Sequence, residues 1–103
     1  MCGIAGIFEW QHREEIPREL VHGMNEAQKH RGPDDEGIFT GPGIGLGHRR
    51  LSIIDVAGGH QPMSNEDGTI WVLLNGEIYN YPELRQELLG RGHQFVTRSD
   101  TEA

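Results

Sequence analysis

Cys2 is the only cysteine in the chain and stands directly behind Met1. Cysteine is small enough at this position for the initiator methionine to be removed. The new first residue would then carry a thiol and a free α-amine, with reference pKa values of about 8.5 and 7.7–8.0. One residue would hold both a nucleophile and a base suited to neutral pH, a known route to covalent attack on an acyl carbon. A lone cysteine elsewhere would read more simply as a small buried thiol at a strand start. Here its position and the residues downstream favour the nucleophile. No Ser/His/Asp set is arranged convincingly, although the chain has six histidines.

The elements that must position this residue can be read from the pattern. Residues 2–9 are apolar at nearly every position, as in a strand buried on both faces. Gly3, Ala5 and Gly6 there suggest close approach of backbone or ligand. Residues 18–30 predict an amphipathic helix opened by Pro17, with Leu20, Met24 and Ala27 on one face and Val21 and Gln28 beside it. Residues 36–40 and 44–51 predict two strands joined by a Gly-Pro-Gly turn. Alternation along the second places Ile44, Leu46, His48 and Arg50 on one face and sends Arg49 to the other. His48 on that face reads as a hydrogen-bonded structural histidine.

Residues 56–69 predict a loop and a hairpin turn at Asn65-Glu66-Asp67-Gly68. Residues 70–75 predict a central strand ending at Asn75-Gly76-Glu77. Pro82 starts a helix to about Gly92, with Leu84 and Leu88 spaced i,i+4 and Glu87–Arg91 as a supporting pair. Residues 93–98 predict a further strand. Ser99-Asp100-Thr101-Glu102 reads as a helix start with its cap. A helix that begins and has no body suggests a truncated domain.

Composition narrows the function classes. The chain has 103 residues, 9 Lys and Arg against 16 Asp and Glu, and a net charge of −7. That balance speaks against nucleic acid and anionic membrane surfaces, which need basic patches. One cysteine makes no internal disulfide, and no cysteine pair suggests zinc. With no secretory signal and no apolar run of membrane-spanning length, a reducing cytoplasm is the expected location. Only 35% of residues are hydrophobic. A domain of this size is marginal without a partner surface.

The ordered set MCGIAGIF at the start, HRGPD at 30–34, GLGHRRLSIID at 45–55, QPM at 61–63, NGEIYNYPELR at 75–85 and SDTE at 99–102 closely resembles the glutaminase domain of class II glutamine amidotransferases, in particular the asparagine synthetase branch. The resemblance covers essentially the whole chain. It implies an α+β, four-layer αββα N-terminal-nucleophile hydrolase fold. Residues 1–103 would be its N-terminal portion, with no second domain present.

The implied reaction takes the side-chain amide of glutamine, releases ammonia and leaves glutamate. Cys2 would attack to form a thioester while its own amine shuttles the proton. Asn75 and Gly76 match the family's oxyanion donors, although Asn-Gly alone is a common turn dipeptide. Arg50 matches the position that binds glutamine's α-carboxylate. Asp100 matches the partner of its α-ammonium, with Glu77 as a second substrate contact. Asp100 also reads as a helix N-cap, unless Ser99 caps instead. Arg31, Leu51, Ile53 and Ile54 match loop or pocket-wall positions.

No cofactor or metal is expected in this domain. ATP and magnesium belong to the synthetase domain that uses the ammonia, which this chain lacks. The expected partners are glutamine and that C-terminal synthetase domain, with a homodimer as another outcome of exposed strand edges. Aspartate is the default ammonia acceptor, but family relatives amidate other carboxylates. Two alternatives remain: a non-catalytic scaffold, and an N-terminal-nucleophile acylase acting on another amide. Arg50 and Asp100 suit a zwitterionic amino acid better than an N-acyl substrate.

Overall fold

The computed structural model describes residues 2–51 and 59–103. β1 (Gly3–Phe8), β2 (Asp35–Gly41) and β3 (Ile44–Arg50) form an antiparallel sheet in the order β1-β3-β2. The central strand is thus the last in sequence. Gly3 lies opposite Arg49 and Phe8 opposite Ile44, while Asp35 lies opposite Arg50 on the other side. The expected Gly-Pro-Gly hairpin joins β2 to β3, with Gly43 at φ +76°, a geometry glycine adopts without steric cost.

α1 (Arg18–Ala27) crosses the sheet face that carries Gly45 and Gly47. A methyl on Gly47 would run into the Asn25 side chain, and one on Gly45 would sit 2.8 Å from a Val21 methyl. The missing side chains let the helix approach closely. This also explains a correction to the helix face. Val21 and Asn25 are fully buried, while Leu20 is 52% exposed. The helix is turned so that Asn25 Nδ2 donates to the Gly37 carbonyl at 3.2 Å, because a buried backbone carbonyl requires a donor. The helix stops at Ala27, and its expected last turn tightens into a 3-10 turn at Lys29–Arg31.

On the opposite sheet face lies a two-stranded ribbon of β4 (Met63–Ser64) and β5 (Trp71–Val72). The Phe39 and Trp71 rings stack at 4.3 Å between centroids. The expected hairpin is present: Asn65 Oδ1 accepts from the Thr69 and Ile70 N–H groups. The architecture is therefore α+β with antiparallel sheets. The ribbon covers only part of the first sheet, so β1 is not buried on both faces as expected. It is an edge strand, with Ile4 49% and Phe8 67% exposed.

Two further strand expectations fail for a shared reason. Residues 70–75 form no central strand, since β5 is two residues long and partly exposed. The Leu74 N–H is taken by the Gln61 side chain at 2.6 Å. Residues 93–98 form no strand at all. Glu66 accepts from the Gln94 N–H, and Glu102 accepts from those of Val96 and Thr97. Side-chain oxygens thus take donors that a neighbouring strand would otherwise pair.

α2 (Tyr81–Gly90) begins with Pro82 in its first turn, and Gly92 follows it at φ +92°. It is tied down by Arg85, whose guanidinium donates to the Thr97 carbonyl at 2.8 Å and lies 4.9 Å from the centre of the Phe95 ring. The expected Glu87–Arg91 pair forms at 2.8 Å. The described chain ends in a 3-10 turn, Asp100–Glu102. No helix among the described residues is long and apolar enough to cross a membrane.

Candidate active site

The end of β3 is where the first sheet meets the remaining segments, and the HRGPD loop wraps it. The two arginines there part as strand alternation requires. Arg49 turns toward α1, where its Nε donates to the Gly32 carbonyl at 2.9 Å and its guanidinium lies 3.5 Å from Glu36. Arg50 takes the opposite face. Both are more than nine-tenths buried. The Asp34 N–H donates to the Arg50 carbonyl at 3.0 Å. A methyl on Gly32 would overlap the Arg49 backbone, and one on Gly59 would overlap the Arg50 guanidinium. Arg31 reaches from the same loop to donate to the Cys2 carbonyl at 3.2 Å. The loop therefore fixes both Cys2 and the arginine pair.

A pocket of about 80 Å³ opens at this point. That is well below the roughly 300–1,000 Å³ of sites for drug-sized ligands, so its occupant is small. Cys2, Arg50, Leu51, Gly76, Glu77 and Asp100 line it. The structure thus brings together six of the ten residues singled out from the sequence, with Arg31 holding Cys2 from outside the lining. Asn75 is exposed and adjacent in the chain but is not part of the lining. Ile53 and Ile54 lie outside the described residues. The half-buried Cys2 thiol makes a long contact, 3.9 Å, to the Leu51 carbonyl.

The double reading of Asp100 resolves in favour of the pocket. Ser99 is the N-cap, its hydroxyl accepting from the Thr101 N–H at 3.3 Å. The Asp100 carboxylate instead accepts from the Ile78 N–H at 2.7 Å. It thereby ties the 3-10 turn to the segment carrying Gly76 and Glu77. Gly59, Gln61, Leu74, Ser99 and Thr101 also line the pocket. Sequence reasoning assigned them no role in the site. The only signal for Gln61 was its place in the QPM motif.

His48 is 1% exposed and does not line the pocket. Its Nε2 has no hydrogen-bond partner among the described residues. The expected hydrogen-bonded structural histidine is thus structural, with one ring nitrogen left over. Burial pushes its pKa below the ordinary 6.5; the Leu74 backbone opposes this, and the Arg50 charge adds to it. The unfolded chain, with its higher histidine pKa, binds the proton more readily. Stability from this residue is therefore present above pH 6.5 and lost as pH falls through the lowered folded value. The unfolding midpoint of the full-length protein should be lower at about pH 5.5 than at about pH 7.5. The difference should shrink in a His48→Gln variant; an equal difference in both proteins would clear His48 of the effect.

The pocket's charged groups are one guanidinium and the carboxylates of Glu77 and Asp100, with a thiol at the wall. A triphosphate would meet two carboxylates and a single cation, so the lining does not fit ATP. Among the described residues, His22, Glu26 and Glu36 could surround a metal ion. They lie outside this pocket, and Glu36 is already engaged by His22 and Arg49. What the pocket does fit is a small molecule bearing both a carboxylate and an ammonium group, presented to a thiol.

Comparison with known proteins accords with this chemistry. The family model described as a glutamine amidotransferase domain matches residues 1–103. The chain is 51% identical to asparagine synthetase [glutamine-hydrolyzing] 1 of Bacillus subtilis (strain 168), over 99% of this chain and 16% of the relative. It is 46% identical to asparagine synthetase [glutamine-hydrolyzing] 2 of the same organism, over 99% of this chain and 14% of the relative. For asparagine synthetase [glutamine-hydrolyzing] 1 of Arabidopsis thaliana the figures are 43%, 99% and 17%. The chain thus spans about a sixth of the length of these relatives.

Proposed function

The chain belongs to the glutamine amidotransferase domain family, and from that premise we propose that it hydrolyses the side-chain amide of glutamine through a thioester on Cys2. The observation that carries the reading is the gathering of Cys2, Arg50, Glu77 and Asp100 around one small pocket. Arg50 grips the α-carboxylate of glutamine with a paired fork. Asp100, assisted by Glu77, holds the α-ammonium. These two charges at one end leave the side-chain amide to reach the thiol.

The Cys2 sulfur attacks the amide carbon and gives its proton to the α-amine. The C–S bond forms as the carbonyl π bond opens onto oxygen. That oxyanion is met by the Gly76 N–H, with Asn75, which stands outside the lining, as the second donor that the family resemblance implies. Collapse of the intermediate breaks the C–N bond, and nitrogen leaves as ammonia carrying the shuttled proton. Water then attacks the thioester, releasing glutamate and restoring the thiol. The amine can act only after Met1 is removed, because an amide nitrogen is no base.

The α+β arrangement of helix, sheet and ribbon supports assignment to a four-layer N-terminal-nucleophile fold. Ammonia would pass to a synthetase part of the parent protein, where ATP and magnesium would supply the activation of aspartate. The names of the relatives, glutamine-hydrolysing asparagine synthetases, support that destination. The test is the intact mass and glutamine turnover of the full-length protein. A mass lacking Met1, with equimolar glutamate and ammonia release, is expected. A retained Met1 with no glutamate formed would sink the reading.

A further inference from the structure

Gln61 belongs to the QPM motif, to which the reaction assigns no task. Its residue is 7% exposed, and a methyl on Gly37 of β2 would overlap its carbonyl. Its backbone is therefore seated on the first sheet. From that base the side chain reaches two other segments. Oε1 accepts from the Leu74 N–H at 2.6 Å, and Nε2 donates to the Thr101 hydroxyl at 3.0 Å. Leu74 stands two residues before Gly76, and Thr101 stands one residue after Asp100.

We propose that Gln61 is a positioning residue of the glutaminase site, bracing the segment that carries the Gly76 donor against the turn that carries Asp100. The inference rests on the function proposed above. A carboxamide suits both partners. Leu74 offers a donor, so Oε1 must face it, and the same plane then presents Nε2 to Thr101. A glutamate in its place would have to accept from both segments and would add a third carboxylate to the pocket, and methionine fills similar space with neither group.

Both braced segments are irregular at these points, apart from the short 3-10 turn at Asp100–Glu102. Besides the brace, the Asp100–Ile78 hydrogen bond links the two segments. The two ends of the brace act on different stages. Gly76 meets charge that develops only in the transition state, whereas Asp100 meets an ammonium already present in bound glutamine.

Gln61→Met and Thr101→Val separate these contributions in the full-length protein. Gln61→Met should lower kcat for glutamine hydrolysis by about 10–100-fold, the scale of an ångström-level misplacement. Alkylation of Cys2 by iodoacetamide, which needs neither arm, should stay within about twofold of wild type. Thr101→Val keeps the Leu74 end and should raise KM by about 3–10-fold with kcat little changed. Wild-type turnover with Gln61→Met unaltered in kcat and KM would overturn the brace while leaving the glutaminase reading intact. A parallel fall of turnover, alkylation and folded fraction in both variants would also overturn it, making Gln61 a matter of stability alone. Absence of turnover in the wild type would instead overturn the underlying reading.

Discussion

A full-length protein with Cys2 replaced by alanine is expected to release glutamate from glutamine about 10⁴–10⁶-fold more slowly than wild type, up to the scale seen when a covalent nucleophile is removed. The residual site would still bind glutamine through Arg50 and Asp100, so affinity should change far less than turnover. The folded state should also change little. Cys2 is half-buried, its sulfur makes only a long contact to Leu51, and the Arg31 bond goes to its backbone carbonyl, which alanine retains. Fluorescence or calorimetric titration with glutamine, beside the turnover assay, separates the two effects. Turnover preserved in the alanine variant would remove the thiol from the mechanism and require another nucleophile. A variant that blocks loss of Met1 should behave like Cys2→Ala despite an intact thiol, because the base rather than the nucleophile would be missing.

The second large effect is expected at Asp100. Asp100→Asn keeps an oxygen for the Ile78 N–H and leaves the Ser99 cap untouched. It removes only the negative charge that the substrate ammonium requires. A hydrogen bond to a charged group contributes about 1.5–3 kcal/mol, so kcat/KM for glutamine should fall roughly 10–150-fold, mostly through KM. The loss should be smaller for an amide substrate without an α-amine, already handicapped in the wild type. Equal losses for both substrates would make Asp100 a strut of the fold and not a binding group. Arg50→Lys complements the test at the neighbouring α-carboxylate, since an ammonium supplies charge without the two-pronged geometry. Gly59→Ala should mimic it from outside the charge pair, because the added methyl would occupy the guanidinium's place.

The sequence by itself pointed to the proposed nucleophile and to most of the charged groups that line the pocket beside it. Cys2 follows from position and from the chemistry of a free α-amine. The separation of Arg50 from Arg49 follows from strand alternation, which needs no knowledge of the rest of the fold. The β2–β3 hairpin and both helices were legible because glycine, proline and hydrophobic spacing act locally. Burial was not. The expectation that β1 is covered on both faces came from its apolar run, yet the ribbon reaches only the β2 side, leaving Phe8 exposed.

Tertiary structure alone decided which polar side chains replace backbone partners. Residues 70–75 and 93–98 carry strand-like composition, but Gln61, Glu66 and Glu102 take their N–H groups. Such side chains come from distant points or from a turn, and no periodicity records where their oxygens point. The face of α1 was decided in the same way, by the Gly45–Gly47 stripe and the Gly37 carbonyl rather than by the helix's own apolar residues. The role of Gln61 is the extreme case. Its two hydrogen bonds span 13 and 40 positions along the chain, so only the packed fold brings its partners within reach.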